Sequence, residues 1–189
     1  MHPGVVIIAL WIAFGLSWAL AESWSRRTET RLGWRAQLPY CVVLLVGGVI
    51  FLMPAHGYEG PLRLWRPSPA GAWICVGLIA AGFAFSWWAR FYLGALWSGT
   101  ITKKEDHRLI DTGPYAIVRH PIYSGILLAV CATAGAKGTI LGLLGAAIII
   151  VGVWMKARLE ERWLSEAFGA DSYEAYRRRV PMLIPFVRW

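Results

Sequence analysis

Five long apolar runs, which hold one charged residue among them, decide what this chain can fold into. They extend from about Gly4 to Ala21, Leu38 to Met53, Ala70 to Leu93, Ile122 to Ala136 and Gly138 to Met155, and Arg90 is the charge they contain. A backbone crossing roughly 30 Å of hydrocarbon must satisfy its own N–H and C=O groups, which leaves only helices or a closed barrel. The runs lack the apolar–polar alternation of barrel strands. The fold class expected is therefore an all-α integral membrane protein with about five transmembrane helices. Lys137 alone separates the fourth run from the fifth, with glycine beside it, so these two read as a tight helical hairpin. The fourth is short enough to tilt or to stop before the far leaflet.

A chain of 189 residues accommodates one domain, and its 16% charged residues fall below the roughly 25% usual for soluble domains. The net charge of +8 raises the question of nucleic acid, but the basic residues sit between the apolar runs. There they mark the cytoplasmic face and attract anionic lipid headgroups, so membrane lipids are the expected partners and nucleic acid is not. With the N-terminus outside, all but Arg63, Arg66 and Lys137 of the 19 Lys and Arg residues fall on one face. The positive-inside rule makes that face cytoplasmic, together with the third loop and the C-terminal tail. The first run has no basic n-region and no convincing small-residue cleavage site, and reads as a span rather than a leader. Cys41, Cys75 and Cys131 each lie inside an apolar run without a ligand-spaced partner, so neither a disulfide framework nor a metal site is expected. Glycines within the spans, such as Gly47-Gly48, Gly142 and Gly145, suit close helix packing rather than phosphate binding.

Beyond Met155 the chain becomes amphipathic. Leu159, Trp163, Leu164 and Ala167 fall near one stripe of a helix from Lys156 to Phe168, and Gly169 supplies a stop. A second helix from Ser172 to Val180 carries Tyr173 and Tyr176 three apart and ends at Pro181. Both are expected to be cytoplasmic, and with the apolar stretch Met182 to Phe186 to cap the mouth of the bundle.

Polar chemistry concentrates between Thr100 and Gly125, TITKKEDHRLIDTGPYAIVRHPIYSG. Pro121 presets a helix start, whose first backbone N–H groups can meet an anion while His120 and Tyr123 project from the same end. Asp111 to Pro114 is also ordinary turn chemistry, and Arg119-His120-Pro121 would serve as an interfacial anchor. The residues alone thus define an anion site without naming its ligand.

The segments GPYAIVRHPIYSG, DHRLI before it and RLEERWLSEAFGADSYEAYRRRVPMLIPF after the hairpin resemble the isoprenylcysteine carboxyl methyltransferase family and, more distantly, phospholipid N-methyltransferases. The resemblance covers about Trp97 to Phe186 and divides the single domain into N-terminal spans (1–96) and a cofactor-binding half (97–189). It implies a membrane-embedded S-adenosylmethionine-dependent methyltransferase acting on a lipid-like or small hydrophobic acceptor at the cytoplasmic interface. Carried over by position, His107, Arg108, Leu109 and Ile110 form a loop against the cofactor, with Thr100 at its start and Tyr115 next along it. His120, Pro121, Ile122 and Tyr123 close the pocket, and one of Glu160 and Glu161 contacts the cofactor. Where the family places a substrate-orienting arginine, this chain has Lys156, with Arg158 two positions on, and lysine lacks the bidentate fork that grips a carboxylate. Lys156, Arg158, Glu160 and Glu161 are thus the residues assigned to catalysis. A nicotinamide-dependent membrane reductase of the sterol-reductase type would share the hairpin but not the E-E-x-x-L-x-x-x-F-G tail. A non-catalytic lipid-headgroup binder would explain the charges but not the ordered motifs.

Overall fold

The computed structural model describes residues 1–21, 28–31, 33–53, 62–94, 102–104, 109–168 and 170–187. Helices α1 (Pro3–Ala21), α2 (Trp34–Leu52), α3 (Pro69–Leu93), α4 (Pro114–Ile117), α5 (Pro121–Lys137), α6 (Ile140–Phe168) and α7 (Ala170–Arg179) account for most of them. Four of these, α1, α2, α3 and α6, are long and apolar enough to cross a membrane, and α5 is a shorter apolar helix. At 17 residues, α5 reaches about 25 Å. Their outward surfaces carry large apolar side chains, among them Ile8, Leu16, Leu20, Leu45, Leu52, Ile74 and Phe91, each more than half exposed. A continuous apolar girdle of this kind is tolerated in lipid and not in water.

Two expectations are modified. Two strands, β1 (Thr28–Arg31) and β2 (Thr102–Lys104), pair antiparallel with a bulge between Thr28 and Thr30. This ribbon joins the connection after α1 to the connection after α3. Both segments are polar and lack the apolar alternation that signals a strand, so only their pairing reveals them. The amphipathic segment after Met155 is not a separate helix either; it continues the fifth run as one 29-residue helix. Neither glycine nor proline occurs between Gly152 and Gly169, so nothing interrupts the backbone ladder where the side chains turn from apolar to polar. Gly169 lies outside the described residues.

Close approach of backbones sets the packing. On α3 and α5, a Cβ placed on Gly82 or Gly125 would strike the other helix's backbone, and between them the Ser86 hydroxyl donates within reach of both Gly82 O (3.1 Å) and Ile122 O (3.0 Å). Ile79, Phe83, Ala129 and Ala132 form a core there, covered by Ile7, Leu10, Trp11 and Phe14 of α1. α2 and α6 are zipped just as closely: a Cβ on Gly145 would lie 2.6 Å from Phe51 N, and one on Gly152 2.8 Å from Leu44 Cδ2. The principal partners of α5 and α6 are therefore α3 and α2 rather than each other. The turn joining them is tight, as the sequence implied, with Gly138 in the left-handed region (φ 60°).

Both ends of the bundle are fastened by cations at helix C-termini, where unpaired carbonyls and the helix dipole favour positive charge. Arg90 is fully buried and donates to Ala21 O, closing α1, and to Gly94 O, closing α3. At the opposite end, the Lys137 ammonium donates to Phe51 O and, at 2.9 Å, Met53 O at the end of α2. The Arg90 end also holds the start of α5, the polar half of α6, α7 and the tail.

Candidate active site at the start of helix α5

α5 begins where the tail docks. Arg119 N–H donates to Pro181 O (2.8 Å) and His120 N–H to Met182 O (3.1 Å), while the Ser124 hydroxyl donates to Leu183 O (2.6 Å). Pro181 to Leu183 thereby straps the first turn, and Pro121 fixes the entry angle of the helix without needing a partner for an N–H. The strap fixes the direction in which His120 leaves the backbone.

The His120 ring is buried between two carboxylates of α6, with Nδ1 3.5 Å from Glu160 Oε2 and Nε2 3.3 Å from Glu161 Oε1. Tyr123 stacks on it with an interplanar angle of 8° and donates its hydroxyl to Glu160 Oε1 at 2.6 Å. Burial alone pushes the imidazole's pKa down, but hydrogen bonds and charge from both glutamates outweigh it and hold the pKa above the ordinary histidine value. The sequence implies an anion at the backbone N–H groups of this helix start. The carboxylates found nearby, which are the protein's own, instead contact the side chains of Arg119, His120 and Tyr123.

The two glutamates differ in what surrounds them. Glu161 is sealed: Arg119 Nε donates to its Oε1 at 2.6 Å, Arg177 Nε stands 3.8 Å from Oε2, and its side chain is 4% exposed. Arg119 also caps α7, donating from Nη1 to Arg177 O (3.1 Å) and to Val180 O. None of the described residues donates a hydrogen bond to Glu161 Oε2. Glu160 is more open at 18% and is held by Tyr123 and His120. Lys156, one turn earlier, places its ammonium 5.3 Å from the centre of the Tyr123 ring and 5.8 Å from that of Tyr40 on α2.

Tyr115 lies beneath this cluster on α4. Its carbonyl accepts the Tyr176 hydroxyl at 2.7 Å, and burial pushes the Tyr115, Tyr173 and Tyr176 phenols up, so they stay neutral. Gly113 (φ 58°) caps the start of α4, where a Cβ would lie 2.6 Å from the Tyr92 ring and the backbone favours glycine.

Of the residues singled out in the sequence, His120, Tyr123, Glu160, Glu161 and Lys156 are brought together, with Pro121 as the helix start. Ile122 and Ile110 pack with Tyr115 and Ala89, and Leu109 packs against Tyr173 and Tyr176. Arg158 is not at the site; it is exposed, with its guanidinium over the Trp154 ring on the bundle's outer surface. Thr100, His107 and Arg108 lie outside the described residues. Sequence reasoning passed over Arg119, read there as an interfacial anchor, although it sits inside the R-H-P motif. It also passed over Tyr40, which carries no local signal at all.

The phospholipid methyltransferase family profile matches residues 70–171, from α3 through the polar half of α6. A methanethiol S-methyltransferase of Bradyrhizobium diazoefficiens is 31% identical over 88% of this chain and 69% of its own length. A protein-S-isoprenylcysteine O-methyltransferase of Arabidopsis thaliana is 35% identical over 78% of this chain and 74% of its own. A solved eukaryotic intramembrane Ras methyltransferase, isoprenylcysteine carboxyl methyltransferase, shares the fold with a TM-score of 0.55 and 22% identity, over 79% of this chain and 53% of that one. The chain belongs to this family of phospholipid and isoprenylcysteine methyltransferases, and it is a membrane-embedded methyltransferase.

Proposed function

We propose that the chain transfers a methyl group from S-adenosylmethionine to a lipid-like or small hydrophobic acceptor, at the end of the bundle that holds the start of α5. The single observation carrying this reading is the pair of carboxylates gathered around His120 and Tyr123 at the end of an apolar helix bundle. The donor set suits the ligand. S-adenosylmethionine brings a sulfonium, an ammonium and ribose hydroxyls, and Glu161 Oε2 is a buried oxygen to which none of the described residues donates a hydrogen bond. Glu160, Tyr123 and His120 would hold its cationic and hydroxyl-bearing parts, with Tyr115, Ile110 and Ile122 supplying the apolar wall, and Thr100, His107 and Arg108 contributing from the preceding loop.

When bound, this cofactor supplies an electrophilic methyl carbon on a positive sulfur. The protein's part is to orient the acceptor in line and to exclude water. Lys156, rather than Arg158, faces the site and steadies an electron-rich acceptor head. A carboxylate acceptor needs no base. For a thiol or amine, Glu160 is the group able to take the proton, because Glu161 is occupied by Arg119. The α5–α6 hairpin crosses the membrane as the fourth and fifth of five spans, and the basic end of the bundle faces the cytoplasm, in keeping with the distribution of Lys and Arg.

Calorimetric titration of the detergent-purified protein with S-adenosylmethionine and its demethylated product, with NADPH as control, tests the reading. Saturable binding of the first two, weakened roughly tenfold or more by Glu160→Gln, is expected. Binding of NADPH alone overturns it. Labelling of Arg66→Cys, on the exposed connection between α2 and α3, in a background lacking the native cysteines, by an impermeant maleimide added to right-side-out vesicles tests the orientation; protection in intact vesicles overturns it.

A further inference from the structure

α2 and α6 run antiparallel in one fixed register. Phe51 meets Gly145, Gly47 meets Ile148 and Ile149, and Leu44 meets Gly152, each step towards the start of α2 matching an equal step towards the end of α6. A Cβ on Gly47 would lie 3.0 Å from Ile149 N, so the two backbones are in near contact at this rung. The next rung of the same ladder is Tyr40 opposite Lys156. Here the close glycine contacts give way to a large ring that is 5% exposed, with its hydroxyl donating to Gln37 Oε1 at 2.8 Å one turn earlier on α2. The Gln37 bond fixes the ring's edge. The face lies under the Lys156 ammonium, which also stands over the Tyr123 ring.

We propose that Tyr40 is a positioning residue: together with Tyr123 it clamps the Lys156 ammonium between two aromatic faces, so that α2 forms one wall of the acceptor side of the site. Lysine alone is a flexible point charge on a four-carbon stem, and it directs an acceptor only if something restricts where the charge sits. Two π faces add that restriction to the electrostatic pull of Glu160, one turn further along α6. The inference deepens the reading of Lys156 as the acceptor-facing cation and rests on it. It adds a residue from the N-terminal spans to a site otherwise drawn from the C-terminal half.

The test compares wild type with Tyr40→Leu, Tyr40→Met and Tyr40→Phe in detergent. The rate of Lys156 acetylation by acetic anhydride is read by mass spectrometry against Lys137 at the other end of the bundle. Loss of the ring should quicken modification of Lys156 about fivefold, the scale of one cation–π contact, while Tyr40→Phe, which keeps the ring, stays at the wild-type rate. In parallel, methyl transfer from S-adenosylmethionine to methanethiol should show a raised acceptor KM in Tyr40→Leu with kcat and donor affinity held. Wild-type labelling rates in both ring-deleted variants overturn the clamp, whatever the donor does, and Tyr40→Met serves if Tyr40→Leu does not fold. Equal loss in Tyr40→Phe overturns it too, since the ring would then not be the working part. Failure of the wild type to bind the donor overturns the proposed function instead, and the labelling still decides the clamp.

Discussion

Arg119 Nε donates to Glu161 Oε1 at 2.6 Å, and the two side chains are 7% and 4% exposed. The pair joins α6 to the start of α5 and, through the carbonyls of Arg177 and Val180, to the end of α7. Removing one member leaves the other charged and buried, which costs about 3–5 kcal/mol. Arg119→Ala should therefore lower the melting temperature in detergent steeply. Arg119→Lys should recover part of the loss, since it restores the charge but not the fork that reaches α7. A melting temperature unchanged by Arg119→Ala would show that the pair does not hold the three helices together.

The histidine between the carboxylates makes stability depend on pH with a defined sign. Its folded pKa is raised above the ordinary value of about 6.5 by Glu160 and Glu161, with Tyr123 stacked on it and Arg119 paired to Glu161 alongside. A raised folded pKa contributes stability that is fully present below the unfolded value and is lost as pH rises through the folded one. Thermal stability should fall as pH climbs from about 6.5 into the alkaline range. His120→Gln should flatten that part of the profile. A slope of equal size in the variant would assign the dependence to other groups.

Glycine substitutions on α2 and α6 should separate packing from propensity. Gly145→Val drives a side chain against the Phe51 backbone, which cannot give way as a flexible side chain would, and should destabilise by about 1–3 kcal/mol or more. Gly48→Ala, on the same pair of helices but with open space around its Cβ, should be neutral or slightly stabilising. Equal effects of the two on chemical denaturation in micelles would argue against the register described.

The legibility of the chain divides along the same line. Each span was visible because charge is absent from Gly4 to Ala21 or Gly138 to Met155, a property of the segment alone. The helix start at Pro121 was visible for the same reason: proline acts on its own backbone. The residues that meet across helices were not, because Tyr40 and Lys156 are adjacent only through a ladder whose rungs are glycines and branched apolar side chains, and such rungs name no partner. Arg119 was in view, but its use was hidden, since its contacts come from α6, α7 and the tail together. The ribbon between β1 and β2 escaped notice because polar segments without alternation become strands only when a partner is present.

Lys156 and Arg158 provide the sharpest functional contrast, because the sequence offers both as the cation for the acceptor and the structure separates them. Lys156 lies over Tyr123, whereas Arg158 is exposed and lies over Trp154 on the bundle's outer surface. If the acceptor head is steadied by the inward cation, Lys156→Met should raise the acceptor KM at least tenfold, the scale of one charge-assisted hydrogen bond of about 1.5–3 kcal/mol, and leave donor binding nearly unchanged. Arg158→Met should leave both near wild type, because an exposed stacking contact is worth at most about 1 kcal/mol and touches nothing in the site. Steady-state kinetics on methanethiol or a prenylcysteine, whichever the wild type methylates, reads the difference. A larger KM effect from Arg158→Met would reverse the assignment and require α6 to rotate by nearly half a turn before it binds its acceptor, since positions two apart on a helix lie roughly 160° apart around its axis by the shorter way.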